Sequence, residues 1–386
     1  MRVAVCGYLP TINSRVPLRK LTFYLARTLV RRGHHVDFIP LFDERVGVME
    51  RFSIDIDDKK CTVITRIEAI PRDTYDIAVL TISPLLLSDS PCTFFVRKTI
   101  KEFIEKFKET NSSAKTVIYG SFNSIPTGDA SIATNLQRYF NYAFFYNDYD
   151  VEVYRQLVSS HAKPLPCGVV TPGVDTKLYS PRSLERRGER FTLLSVVRNV
   201  VEKNPAGLIA AAKRAEEAYG IPLKLVLLTE KCSPPPVVFD LEMLARSISF
   251  ANVEFIEEFV PEDRMPEIYR GADVYISLSS AEGLCMPMLE AQACGVPVIA
   301  HALPAIKAIY GDSVAYVESE GVIYLPPGPA PLASVRRATE VISELYRDES
   351  LRAELSSRGL ENAKRYDWDE RVGPKLEEAL RRAAAS

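Results

Sequence analysis

Short apolar runs alternate with amphipathic stretches along the whole of this 386-residue chain. Residues 2–8 (RVAVCGY) form a nearly continuous apolar run, the pattern of a strand buried on both faces. A polar loop over 9–16 follows. Pro17 then opens a helix with Leu18, Leu21, Leu25 and Leu29 on one face. Gly33 stops that helix, and 36–40 (VDFIP) reads as the next strand. A strand, a helix and a strand within ~40 residues make a βαβ unit, which predicts a parallel sheet with helices on both faces. Further strands are expected at 62–67, 77–82 and 116–119. A long helix is expected over 94–108, with Ile100, Phe103, Ile104 and Phe107 on one stripe.

The second half restarts the alternation. It predicts strands at 191–197, 223–228 and 253–256, helices at 205–219, 241–249 and 262–270, and a proline-rich loop at 233–236. The most explicit unit is 271–300, GADVYISLSSAEGLCMPMLEAQACGVPVIA. Residues 274–278 read as a buried strand and Ser279, Ser280 and Gly283 as a polar turn. Pro287 then stands at a first helical position, Gly295 terminates the helix, and 296–300 begins another strand. A segment at 305–310 comes next. The tail reads as helices at 333–346 and 351–364, Trp368, and a last helix from Glu370.

Residues 164–181 are proline-rich and turn-like, and 182–190 are charged and hydrophilic. Together they mark a domain boundary at about residue 180. The length suits two domains better than one.

Composition removes several classes of function. Hydrophobic residues make 47% of the chain and charged residues 25%, the balance of a globular protein. A net charge of −2 gives no general attraction to nucleic acid or anionic lipid. No stretch has the ~18–20 uninterrupted apolar residues of a membrane span, and MRVAVCGYLP begins in a strand rather than a leader. A cytoplasmic protein is therefore expected. The seven cysteines show no C-x2-C spacing and the four histidines no cluster, which argues for reduced thiols and against a zinc site. A peripheral membrane contact through the cations of 94–108 stands beside a solvated outer face. The alternating signs favour the solvated face. His34 and His35 after Gly33 read as a helix-to-strand turn, and His161 carries no assignment. The loop after the first strand holds Gly7 but lacks G-x-G-x-x-G, which weakens a dinucleotide-binding reading.

The candidate chemistry gathers in 271–300. The backbone N–H groups of Leu284, Cys285, Met286 and Met288 lie at or near a helix start, where donors lack partners and the dipole is positive. A phosphate or a set of sugar hydroxyls suits such a place. Glu282 precedes the helix. Glu290, placed in its first turn, could accept two hydrogen bonds from a vicinal diol such as a ribose. The alternative is that both acids only complement the dipole. Upstream, the strand at 193–197 runs into Arg198 and Lys203, and ligands in open α/β sheets sit beyond strand carboxyl ends. Arginine grips phosphate oxygens bidentately and lysine adds a point charge. The alternative there is a loose surface pair with Glu202.

Several motifs, in order, carry a resemblance. EGLCMPMLEAQACGVPVIA resembles the donor-sugar motif of retaining GT-B glycosyltransferases of family 4, usually close to EGFGLPxLEAxAxGxPVIA. Glu282, Gly283, Pro287, Glu290, Ala291, Ala293, Gly295, Pro297 and Val298 match it, and Cys285 stands where that family has glycine. R-x4-K resembles GRLxxEKG, with Val197 for its glycine, and PGVDTKLYSP resembles NGVDxxxFxP, which includes Asp175. The likeness runs from about Gly168 to Arg365.

The resemblance implies an α/β GT-B fold, two Rossmann-like domains of 1–180 and 181–369 facing across a cleft, with a last helix over 370–386 crossing back to the first. It implies transfer of a sugar from a UDP- or GDP-linked donor to an acceptor hydroxyl, with retained anomeric configuration. No cofactor or divalent metal is expected, because Arg198, Lys203 and the helix start would stabilise the leaving diphosphate. Glu282 would contact the sugar, and Glu290 the ribose. Gly283, Leu284, Cys285, Met286, Gly7 and Asp175 complete the donor side, and Cys285 would narrow the pocket. The partners implied are a nucleotide sugar and a glycan, lipid or small-molecule acceptor, with no nucleic acid. The first domain departs from the family, reading Leu9 to Asn13 after its first strand and Ser121-Phe122-Asn123-Ser124 where a histidine is usual. A nucleotide-sugar binder without transfer activity is therefore the rival, and a phosphorylase or epimerase of the same fold ranks third.

Overall fold

The computed structural model describes residues 1–8, 17–42, 51–124, 127–158, 164–181, 190–231, 240–325 and 328–385. The expected loops at 9–16 and 233–236, His161, and the charged linker 182–190 apart from Arg190 lie outside the described residues. The chain divides into two compact units, Met1–Pro172 with Trp368–Ser386, and Gly173–Asp367.

In the first unit, β1 (Arg2–Gly7), β2 (His35–Pro40), β3 (Arg51–Ile56), β4 (Lys59–Ile64), β5 (Ile77–Thr81), β6 (Lys115–Gly120), β7 (Tyr142–Phe145) and β8 (Cys167–Val169) form one sheet. Its order is β3-β4-β2-β1-β5-β6-β7-β8. The pairings are parallel except that of β3 with β4. Helices α1 (Pro17–Arg31), α2 (Phe94–Thr110), α3 (Ala130–Tyr139) and α4 (Asp148–Val158) complete the alternation. On α1, Leu21, Leu25 and Leu29 are buried as the pattern predicts, and Tyr24 joins them. On α2 the stripe of Ile100, Phe103, Ile104 and Phe107 is buried, while Lys98–Glu102 and Lys101–Glu105 pairs line its outer face. His34 is buried in the turn, with Nε2 3.1 Å from Glu377 of the last helix, Gly373–Ala385. Trp368 stacks on Tyr24 with ring centroids 5.8 Å apart.

The second unit begins with a segment tied down by its far end. Val174 N–H donates to the Tyr366 carbonyl at 2.9 Å, and Thr176 bonds Asp367. Its sheet contains β9 (Phe191–Val196), β10 (Leu223–Leu228), β11 (Val253–Ile256), β12 (Val274–Ser277), β13 (Val298–His301) and β14 (Ala315–Val317), all parallel. The order is β11-β10-β9-β12-β13-β14. Helices are α5 (Pro205–Tyr219), α6 (Leu241–Ser247), α7 (Met265–Arg270), α8 (Met286–Ala293), α9 (Pro304–Tyr310), α10 (Val335–Arg347) and α11 (Glu349–Arg365). Apolar residues of α5 and α10, among them Leu208, Ile209, Ala212, Ile342 and Leu345, cover one face of this sheet. A separate antiparallel hairpin, β15 (Ser319–Leu325) with β16 (Gly328–Ala333), precedes α10. Among the described residues no helix is long and apolar enough to cross a membrane.

Candidate active site

In the second sheet the chain winds outward from β9 in one direction and from β12 in the other. The two neighbouring strands therefore part at their carboxyl ends, leaving the crevice in which doubly wound sheets bind ligands. Arg198 follows β9, and the loop 279–285 follows β12. Strand order in the sheet thus brings these two segments to one place.

The segments are tied together by backbone and amide bonds. A single turn, Val201–Lys203, ends at Asn204, whose φ of 51° is left-handed. The Asn204 carboxamide caps α5 by accepting Gly207 N–H at 3.1 Å, and its Nδ2 lies 3.4 Å from the Leu278 carbonyl. Ser280 N–H donates to the Glu202 carbonyl at 2.8 Å. Held this way, Lys203 Nζ donates to Glu282 Oε1 at 2.6 Å and to the Ala281 carbonyl at 3.0 Å. Both side chains are mostly covered, 17% and 15% exposed, so salt screens this pair less than a surface one. Arg198 is different. It is 54% exposed and meets Glu202 at 3.5 Å, the loose surface contact weighed as its alternative.

At the start of α8 two expectations are corrected. The helix opens one residue early, at Met286, and Met288 N–H donates to the Cys285 carbonyl at 2.9 Å, so Met288 leaves the donor set. No acid lies in the first turn. Glu290 is the fifth helical residue and is buried, with its Oε2 accepting from the Tyr269 hydroxyl at 2.7 Å. One oxygen of that carboxylate is thus committed within the domain before any diol arrives. Among the described residues, the N–H groups of Leu284, Cys285 and Met286 have no acceptor.

Cys285 has φ 59° and ψ 71°, a left-handed backbone that a glycine adopts without cost. Its thiol is buried 3.9 Å from Ser277 Oγ, and that burial pushes its pKa up. Asp175 accepts from Lys177 and Leu178 N–H at 3.1 and 3.2 Å, an Asx turn on its own backbone. Gly7 belongs to the first unit. It ends β1 at φ 139°, and a Cβ there would lie 2.8 Å from Thr81 Oγ1. The structure therefore unites Lys203, Glu282 and Gly283 to Met286, and sets Glu290 behind them.

Sequence reasoning missed three residues that shape this loop. Tyr269 holds Glu290. Tyr310 donates to the Leu284 and Cys285 carbonyls. His301, buried at the end of β13, meets the Ser279 carbonyl through Nδ1 at 2.7 Å and Ser319 Oγ through Nε2 at 2.9 Å. Burial lowers the His301 pKa, which keeps the ring neutral with Nδ1 as donor. Each lies more than 15 residues from its partner, and only His301 carried a signal, as the lone polar residue of the apolar run 296–306.

Comparison with known proteins bears on the same unit. Residues 179–361 match the model of the glycosyl transferases group 1 family. That stretch is a glycosyl transferases group 1 domain by its likeness to the family model. The group 1 domain contains Lys203, Glu282 and Glu290 as well as the three residues that sequence reasoning missed. Among similar proteins is a D-inositol 3-phosphate glycosyltransferase of Thermomonospora curvata, 31% identical over 241 residues, covering 58% of this chain and 53% of that protein. Another, of the same name, is from Xylanimonas cellulosilytica, 29% identical over 222 residues, with 54% and 50% covered. The chain spans about half the length of the curated relatives it matches. The fold resembles HepE of Anabaena in complex with UDP and glucose, with a TM-score of 0.73, 12% identity and 99% and 100% of the two chains covered. It also resembles sucrose-phosphate synthase of Thermosynechococcus elongatus, with a TM-score of 0.70, 16% identity and both chains fully covered. The fold is GT-B.

Proposed function

We propose that this chain transfers a hexose from a UDP- or GDP-linked donor to an acceptor hydroxyl, with retention at the anomeric carbon. The observation that carries this is the Lys203–Glu282 pair at the β9/β12 switch point, beside three N–H groups without acceptors among the described residues. The bond from the anomeric carbon to the β-phosphate oxygen breaks, and a bond from that carbon to the acceptor oxygen forms. The acceptor proton passes to the departing phosphate oxygen, so the nucleoside diphosphate leaves with it. Negative charge grows on the diphosphate as the bond lengthens. Lys203, tethered to the β12 loop, the exposed Arg198 and the start of α8 are positive sites for it, which lowers the barrier without a covalent intermediate.

In this reading those cations serve in place of a divalent metal. Glu282 faces the sugar and Glu290 the ribose, while the first unit selects the acceptor. Free thiols at Cys6, Cys61, Cys167, Cys285 and Cys294 support a cytoplasmic setting.

The decisive experiment is turnover with a panel of UDP- and GDP-sugars and alcohols, with the product anomer read by proton NMR. Retention is expected, and inversion would overturn the mechanism. Arg198→Ala should lower kcat by ~10²–10³, as the loss of a transition-state donor does. Unchanged kcat would remove Arg198 from the account. Tight nucleotide binding with no turnover across the panel would favour a binding protein instead.

A further inference from the structure

Tyr310 is the last residue of α9 and is 1% exposed. Its hydroxyl oxygen lies 2.9 Å from the Leu284 carbonyl oxygen and 3.0 Å from that of Cys285. A phenol carries one proton, so the two carbonyls share it in a three-centre bond. Cys285 O also accepts Met288 N–H, which fills its second lone pair.

A trans peptide points its C=O and the following N–H in opposite directions. With the Leu284 and Cys285 carbonyls gathered on one hydroxyl, the N–H groups of Cys285 and Met286 face the other way, side by side. Two adjacent carbonyls reach one point because Cys285 is left-handed, at φ 59° and ψ 71°, just before the right-handed residues of α8. That sequence of conformations curls consecutive N–H groups into an anion-binding concavity.

We propose that Tyr310 is a positioning residue for the donor diphosphate, aiming the Cys285 and Met286 N–H groups by holding the preceding carbonyls behind them. The proposal rests on the donor-site reading above. Tyr310 itself touches no substrate. It acts through the loop, and its effect falls on the diphosphate rather than on the nucleoside.

The test is titration of the wild type and Tyr310→Phe with UDP and GDP, and with uridine and guanosine. The variant keeps the ring and removes only the hydroxyl. The affinity of the nucleoside diphosphate should fall at least ~10-fold with that of the nucleoside unchanged. Equal losses for both, or no loss, would overturn the proposal and leave the donor site standing. If the wild type binds neither diphosphate, the donor-site reading fails and takes the proposal with it. Amide hydrogen exchange in the wild type decides independently, should the variant not fold. The Cys285 and Met286 amides should be protected by the bound diphosphate, and exchange unchanged by it would contradict their role.

Discussion

The Lys203 ammonium carries three N–H bonds, and its contacts with Glu282 and the Ala281 carbonyl use two of them. A third donor is left for a phosphate oxygen without breaking the pair, so the lysine can be held in place and still bind. Lys203→Ala should raise KM for the donor and also cost stability, because Glu282 would keep a half-buried charge with its lysine gone. The loss should fall between the ~1 kcal/mol of a surface pair and the ~3–5 kcal/mol of a buried one, read from urea unfolding. No change in stability would mean that the pair is not formed in solution. Asp150 gives a second residue-scale prediction. It is buried under Ser121 Oγ, Phe122 N–H and Asn147 Nδ2, and burial, outweighing these donors, raises its pKa to about 7. Its folded pKa lies above the ~3.9 of a free aspartate, so the native state holds more protons between these values. The stabilisation is full below pH ~4 and is lost as pH rises through ~7. The Tm of the wild type should therefore fall relative to Asp150→Asn between pH 5 and 8, and parallel curves would contradict this. At this scale the sequence showed Glu282 and Lys203 by spacing. It could not show Asp150, Tyr269 or Tyr310, which meet Ser121 and Phe122, Glu290, and Leu284 and Cys285 across 20 or more residues, partners chosen by the fold.

The elements that were legible are those whose own pattern is sufficient. The strands β1, β9, β10 and β12 are apolar runs, and α1, α2 and α5 carry clear stripes. What was missed depended on turn chemistry. Strand β4 begins at two lysines because Asp57 and Asp58, at φ 48° and 60°, make the tight turn of a hairpin with β3. The signal was the Asp-Asp pair, and the expected strand at 62–67 starts late for want of it. Strand β16 contains Pro329 and Pro331, which ordinarily argue against a strand. A two-stranded ribbon has two edges, so a missing N–H on its outer side costs no ladder bond. Helix α3 was announced by Asp129, which caps it by accepting Ser131 N–H at 2.9 Å. The element-scale prediction concerns the cap of α5. A Cβ on Gly207 would lie 2.5 Å from Asn204 Nδ2, so Gly207→Ala must displace the capping side chain. A loss of ~1–2 kcal/mol is expected in chemical denaturation, with Lys203 released from its tether to the β12 loop. Stabilisation by the alanine would show that the cap does not hold this junction.

Over the whole molecule, alternating strands and helices foretold two parallel sheets, and both are present, the first with the antiparallel addition of β3. Strand order was not legible, because periodicity says which residues are buried and not which strands are neighbours. Yet strand order is what makes a site of Lys203 and Glu282. With β9 beside β12, residues 79 positions apart in the chain meet at 2.6 Å. The likeness of sequence motifs placed the same residues together by a different route. Acceptor choice stays illegible for a physical reason: the first unit departs from the family pattern at Ser121 to Ser124, where Asn123 and Ser124 are both left-handed. The central claim is that the growing negative charge of a departing nucleoside diphosphate is met by Lys203 and by the loop that opens α8. A crystal structure with a bound nucleotide sugar tests it most directly. The account predicts diphosphate oxygens within hydrogen-bonding distance of Lys203 Nζ and of the Cys285 and Met286 N–H groups. A diphosphate bound away from the β9/β12 switch point would contradict it.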